Sequence, residues 1–327
     1  MTTRLFLLVL LFGVGGGVGL ILGAKPLWGS TLATILAEPD SALAQLVWSW
    51  RLPRVITALC VGACLGAAGA VFQGIFRNPL AEPYLLGSAS GAALGAALVL
   101  LLPAFMPTVF ALPVAAFAGA WGATWLVITL ANVAGVREGG GLLLAGVALA
   151  AVLSAAKNLL MIAASDESVT LKSVLAWTLG GIQTPDWSAV PAMMILTLVA
   201  VVGCVRLGHG LDVLGLGDEV ATTHGIAVAR FRALAALAGA FATALAVAWG
   251  GVVGFIGLMA PHCMRWWIGP THRLLILTSA LAGAGAVAAF DGLARYVLPP
   301  SEIPLGLLTA LVGGPFFLFV LAREARR

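Results

Sequence analysis

The feature that most limits what this chain can fold into is a recurrence of long apolar runs without a single charge, at 5–24, 55–76, 108–134, 187–205, 233–261 and 303–322. A helix needs about 20 apolar residues to cross a bilayer, whereas stretches of about 10–14 suit a buried core helix. Across 327 residues, 61% are hydrophobic and only 9% charged, against about 25% charged in soluble domains. That is too little polar surface to cover a water-facing fold. The sequence therefore specifies an all-α, polytopic membrane protein in a lipid bilayer, a single transmembrane domain over residues 1–327. The apolar run behind Arg4 is too long for a signal-peptide core and reads as an uncleaved first span.

Glycine and proline punctuate the hydropathy into ten spans, near 5–24, 53–76, 87–103, 108–134, 142–164, 187–206, 230–249, 252–267, 273–297 and 303–323. The charge-free stretch 233–261 would run about 44 Å as one helix, well beyond a ~30 Å hydrocarbon core. Trp249-Gly250-Gly251 in its middle marks a turn between two spans, the second one short. The split also satisfies the charge distribution. With ten spans, eleven of the 17 lysines and arginines fall on the side of the two termini, which makes that side cytoplasmic. One long helix would carry Arg265, Arg273 and the C-terminal arginines across and erase the asymmetry. Glycines four apart, at Gly13/Gly17, Gly15/Gly19, Gly62/Gly66, Gly87/Gly91/Gly95 and Gly250/Gly254, let helix backbones approach closely.

The polar exceptions are few. Residues 206–232, "RLGHGLDVLGLGDEVATTHGIAVARFR", suggest one or two short amphipathic helices at the cytoplasmic face, either a docking element or an ordinary interfacial loop. "RLPR" at 51–54 and Arg295 lie on the outer side, as headgroup anchors or as a basic collar for an acidic partner. Lys157 stands inside the fifth span, about 22 Å along it from Leu142. It is placed to meet an anionic substrate, to snorkel, or to pair with Asp166 or Glu167. Pro261-His262 closes the short eighth span, with His262 a hydrogen-bonded helix-end histidine or a metal ligand. Cys60 and Cys64, one turn apart, read as small packing residues before they read as a thiol pair. The segment Arg77–Pro83 interrupts the hydropathy between spans two and three. Pro79 and Pro83 stop a helix there, and such backbone is tolerated only where protein or a water-filled path surrounds it.

Several classes are excluded. No basic cluster interleaves with aromatics, so nucleic acid is not a partner. No GxxxxGK[ST] loop occurs, so the chain does not hydrolyse ATP itself. No metal-ligand spacing and no catalytic constellation is present, which leaves the catalytic and metal assignments empty and the chain a non-enzyme. Intramembrane acids are nearly missing. That disfavours the alternative of an ion-coupled secondary transporter, which needs a midplane ion site.

Taken together, "RLPR" (51–54), "GAAGAVFQGIFRNPLAEPYLLGSASGA" (66–92), "LLLAGVALA" (142–150), "LGLGDEVATTHGIAVAR" (214–230), "GFIGLMAPHCMR" (254–265) and "EIPLGLLTALVGGPFF" (302–317) resemble the FecCD-type permease subunits of ABC importers over nearly the whole chain. The resemblance implies a type II importer permease fold of ten spans, assembled as a homodimer in the inner membrane. Two ATP-binding subunits would sit at the cytoplasmic face and a substrate-binding protein at the outer face. The cargo would be an iron–siderophore, heme or cobalamin. ATP and magnesium would belong to the ATPase partners, and no cofactor to this chain. It matches Arg51, Arg54 and Arg295 to positions that dock the binding protein. Asn78 and Leu80 match a cytoplasmic gate, with Gly140 and Gly141 at a second constriction that here lacks a polar side chain. Coupling helices within 207–229 correspond to Leu214, Gly215, Leu216, Gly217, Asp218, Glu219, Ala221 and Gly225, running on to Arg230.

Overall fold

The computed structural model describes residues 2–23, 25–27, 29–38, 40–101, 108–134, 139–163 and 174–324, and among them the chain consists of helices and the segments that join them. Helix α1 covers Thr2–Ile21, α2 Gly29–Ala37 and α3 Ala42–Leu46. A π-helical turn at Val47–Arg51 runs on into α4, Leu52–Phe76. A 3-10 turn at Pro83–Leu86 leads to α5 (Ser88–Leu101), α6 (Thr108–Val133), α7 (Gly139–Ala163) and α8 (Val190–Arg206). Then come two short helices, α9 (Gly208–Gly215) and α10 (Asp218–Thr223). The last four are α11 (Val228–Gly250), α12 (Ile256–Ile268), α13 (His272–Tyr296) and α14 (Leu305–Glu324). Ten of these helices occupy the ten positions assigned to spans. Helices α2 and α3, between the first two spans, are additions that hydropathy did not show; α3 starts where Ser41 Oγ accepts the Ala44 N–H at 3.2 Å.

Helix α4 is the spine. It packs against α8, α11, α12 and α13, and 78% of the apolar window in the helical stretch it belongs to is buried. Its glycines explain why so many helices can reach it. A Cβ at Gly62 would stand 2.1 Å from Gly283 O, and one at Gly69 only 1.8 Å from Gly257 O. These are backbone-to-backbone contacts that any side chain would push apart.

Among the described residues six helices are long and apolar enough to cross a membrane, and the helices at the other assigned positions are shorter or interrupted. Helix α4 ends in a Schellman arrangement: Arg77 adopts the left-handed conformation (φ 50°, ψ 34°), with Arg77 N bonded to Gly74 O and Asn78 N to Gln73 O. The chain then turns back along α4 instead of leaving the membrane. Pro83 lies against Gly257, where a Cβ would also be 3.2 Å from Leu65 O, and Leu65 is eleven residues, or about 16 Å, above the end of α4. Leu85 O meets Gly146 in the same way. The proline-bounded break between spans two and three is therefore re-entrant, with Ala81, Pro83 and Leu86 buried, so that protein surrounds its non-helical backbone. This is why α5 has only 14 residues, about 21 Å: the re-entrant segment covers the rest of the depth.

The break after α11 is the counterpart. Gly251 (φ 62°) ends the helix at the predicted Trp249-Gly250-Gly251 turn, and α12 resumes for 13 residues. Unpaired backbone at such depth is costly. It is satisfied here by the extended segment before α8, where Gly181 N donates to Gly250 O and Gln183 N to Trp249 O, both at 3.0 Å. The same segment accepts from α14, through Leu305 N to Gly180 O and Gly306 N to Leu179 O. The two breaks also meet each other. Tyr84 OH donates to Val253 O at 3.1 Å and accepts from Val253 N, and Glu82 Oε1 accepts from Phe255 N at 3.1 Å.

Candidate functional site

Functional candidates gather at the two ends of α4. At its C-terminal end stands an elbow made of α9 and α10. Gly217 at φ 121° and Gly225 at φ 79° take backbone conformations that side chains disfavour, and so set the bends on either side of α10. The elbow has a small core of its own: Val213, Leu214 and Ala221 against Ile226, Val228 and Phe231. Leu214 and Ala221 are fully buried there, so they shape the elbow and do not face outward. Gly215, Leu216, Glu219, Gly225 and Arg230 are the assigned residues left exposed, and Leu216 stands out as an apolar side chain 69% exposed.

Two carboxylates fasten the elbow to the spans. Asp212 Oδ1 accepts the His272 N–H at 2.8 Å, capping the start of α13, and lies 2.7 Å from His272 Nδ1. Asp218, the first residue of α10, pairs with Arg77 at the end of α4 and with Arg232 Nη2 at 2.8 Å in α11. Below this lies a cavity of about 390 Å³ lined by Gln73, Arg77, Asn78, Gly215, Arg265 and His272 among others. Asn78 is exposed and its Oδ1 accepts the Leu80 N–H at 2.9 Å; Leu80 is 41% exposed. Gly140 and Gly141 sit in the first turn of α7, and space is open where a Gly140 Cβ would be.

Around the N-terminal end of α4 lie the three arginines, Arg51 and Arg54 on its own chain segment and Arg295 on α13, but not as a free collar. Asp291, in α13 and 1% exposed, binds two of them. Arg54 grips it through Nε at 3.2 Å and Nη2 at 2.9 Å, and Arg295 Nε donates to it at 3.0 Å. Arg51 and Arg295 are each 7% exposed. Arg51 spends its donors on the carbonyls of Leu20, Ile21 and Lys25, and Arg295 Nη2 on Gly19 O at 2.6 Å. Together they lock the end of α1 onto α4 and α13. Arg54 alone reaches outward, to the half-exposed Glu302 through Nη2–Oε2 at 2.8 Å and Nη1–Oε1 at 3.2 Å. Exposed Trp48, Trp50 and Trp187 flank this end, as expected of aromatics at a membrane interface.

Other expectations need correction or placement. Pro261 does not close a helix: it lies within α12, which continues to Ile268. His262 is 5% exposed, among the rings of Trp266, Phe316 and Phe317 at 4.5 to 6.1 Å. Among the described residues no three His, Cys, Asp or Glu side chains converge on a metal position. Cys64 is buried, its Sγ 3.8 Å from Thr197 Oγ1, as a packing residue would be. Lys157 is half-buried on α7, and its expected partners Asp166 and Glu167 lie outside the described residues. Acids within the bundle are scarce but not idle. Glu82 and Asp291 were passed over in the sequence, although the Asp291/Arg295 spacing of four residues is a helical ion-pair signal.

These features define a class first: a polytopic helical membrane protein with broken spans, a polar elbow clamped to the spans at one end, and an arginine cluster at the other. The family model described as the FecCD transport family matches residues 6–323, and the chain belongs to that family. It is 38% identical over 219 residues, 67% of this chain, to the cobalamin import system permease protein BtuC of Halobacterium salinarum. It is 39% identical over 219 residues, 66% of this chain, to the Fe(3+) dicitrate transport system permease protein FecD of Escherichia coli. The matched stretches span 58% and 66% of those two relatives. A solved structure described as an inward-facing conformation of a metal-chelate type ABC transporter superposes with TM-score 0.87 at 31% identity, covering 99% of this chain and 100% of that one.

Proposed function

We propose that this chain is the permease subunit of an ABC importer that carries an iron–siderophore, heme or cobalamin into the cytoplasm, with both termini cytoplasmic. The observation that carries the reading is the elbow. It presents exposed Leu216 and Glu219 outward, while Asp212 and Asp218 bind its inner side to α13, α4 and α11. A partner that shifts the elbow thereby pulls on three spans at once. The partner is an ATPase subunit, which holds ATP and magnesium; this chain supplies no cofactor and no covalent chemistry. Closing of the ATPase pair drives the pathway between outward and inward openings only because the elbow contacts differ in energy between the two states.

A homodimer completes the pathway. Helix α7 has only 6% of its apolar window buried by its own chain, and α14 exposes Leu311 and Leu318 at 71% and 69%. A second copy on these faces would bring two sets of Asn78 and Leu80 together as the inner gate, with Gly140 and Gly141 beside them and Lys157 towards the path as a contact for carboxylate-bearing cargo. At the opposite face Arg54, with Arg51 and Arg295 behind it, receives acidic groups of a substrate-binding protein. An ion-coupled carrier is less suited to the structure: Glu82 and Asp291 are already engaged by the Phe255 N–H and by two guanidiniums.

The test is co-purification with the ATPase subunit. Leu216→Asp is expected to leave the chain in the membrane, monodisperse in detergent, while removing the ATPase and all ATP-dependent uptake of cyanocobalamin, ferric citrate or hemin in vesicles. Uptake by this chain alone, without ATP or an ATPase subunit, refutes the proposal.

A further inference from the structure

We infer that Arg77 is the positioning residue through which movement of the elbow reaches the re-entrant segment and, beyond it, the break between α11 and α12. The inference rests on reading the elbow as the ATPase-docking element. Residues 77–86 form a strut held at both ends. Its foot is the Arg77 guanidinium, which donates to the Asp218 carboxylate at the start of α10. Its head is Glu82 and Tyr84, bonded to Phe255 and Val253 at 3.1 Å each, with Pro83 pressed against Gly257. Between foot and head, Asn78, Pro79 and Leu80 are exposed.

The strut is stiff enough to transmit a displacement. Pro79 and Pro83 restrict φ, and the Asn78 side chain closes a local turn onto Leu80 N at 2.9 Å. Both ends also sit on strained backbone. Arg77 at φ 50° and Phe255 at φ 67° are the two non-glycine residues with positive φ among the described residues. Such conformations persist where surrounding contacts over-determine them. A half-exposed ion pair adds little to stability, so the significance of Arg77–Asp218 lies in what it joins. It is the direct side-chain link from the elbow to the strut, whereas Arg232 links the same carboxylate to α11.

The test uses the whole complex of this chain with its ATPase subunits in lipid nanodiscs. Leu80→Cys, at a 41% exposed position, is labelled with a maleimide before and after the ATPase is trapped with ATP and vanadate. The parent protein, with its native cysteines, sets the background. Trapping is expected to change the labelling rate at Leu80→Cys. Arg77→Gln should keep the ATPase subunits bound and the nucleotide trapped, yet lose that change. Asp218→Asn should lose it too, and the double variant should lose no more than either single one. Arg232→Gln, which spares the Arg77–Asp218 contact, should retain it. An Arg77→Gln complex that keeps the full change, or a Leu80→Cys rate that trapping never alters, overturns the inference. Failure of the parent chain to hold any ATPase subunit is a different result and refutes the docking reading instead.

Discussion

Helix α1 carries two interleaved glycine pairs, Gly13/Gly17 and Gly15/Gly19, that look equivalent in sequence and are opposite in structure. A Cβ at Gly13 or Gly17 meets nothing within 4 Å, while one at Gly15 would stand 2.2 Å from Gly285 O in α13. Real Cβ contacts stop near 3.0 Å, so Gly15→Ala forces the two helices apart by about 0.8 Å, enough to forfeit much of the dispersion attraction along the seam. Gly19 has the same neighbour helix, with Ala288 O at 2.6 Å, and its own carbonyl holds Arg295. Forced separation in packed interiors costs about 1–3 kcal/mol. Replacing glycine by alanine within a helix returns up to about 1 kcal/mol. Gly13→Ala keeps the return without the cost. The two variants are therefore expected to move in opposite directions, Gly13→Ala neutral or slightly more stable and Gly15→Ala less stable. The separation of about 2 kcal/mol is roughly thirtyfold in the folded-to-unfolded ratio. Thermal stability of the detergent-solubilised protein, followed by size-exclusion chromatography after heating, measures it. Equal midpoints, or a Gly15→Ala protein that outlasts Gly13→Ala, would falsify the contact argument.

Two further outcomes concern the arginine end of α4. Asp291→Asn leaves the Arg54 and Arg295 guanidiniums without their buried counter-charge, and loss of one partner of a buried pair costs about 3–5 kcal/mol; a sharp fall in the same thermal assay is expected, and an unchanged midpoint counts against the network. Glu302→Gln releases the outer donors of Arg54 and should tighten association with the substrate-binding protein, while Arg54→Gln should weaken it. Both effects should shrink as salt rises, and affinities that ignore these substitutions in surface plasmon resonance remove Arg54 from the docking face.

Much of the architecture is legible because its signals are local. The break at Trp249-Gly250-Gly251 and the paired helices within 207–229 each follow from a few consecutive residues: charge-free length against bilayer thickness, and glycines at the bends. The re-entrant course of 78–87 was only half legible. Two prolines forbid a helix there, but they do not say whether the chain leaves the membrane or climbs back along α4. That was settled by Gly257 and Gly146, whose missing side chains make room for Pro83 and Leu85.

The sequence by itself determined that this is a helical membrane protein of many spans with a polar elbow between them, since hydropathy length, charge asymmetry and turn residues act over short distances. Only the tertiary structure decided which glycines are seams, that Leu214 and Ala221 point inward, and that two of the three arginines are buried struts. Those outcomes depend on partners such as Asp291, 237 positions from Arg54. A guanidinium facing lipid headgroups and one closing on a buried carboxylate have the same local sequence, and only the packing of α1, α4 and α13 brings that carboxylate within reach.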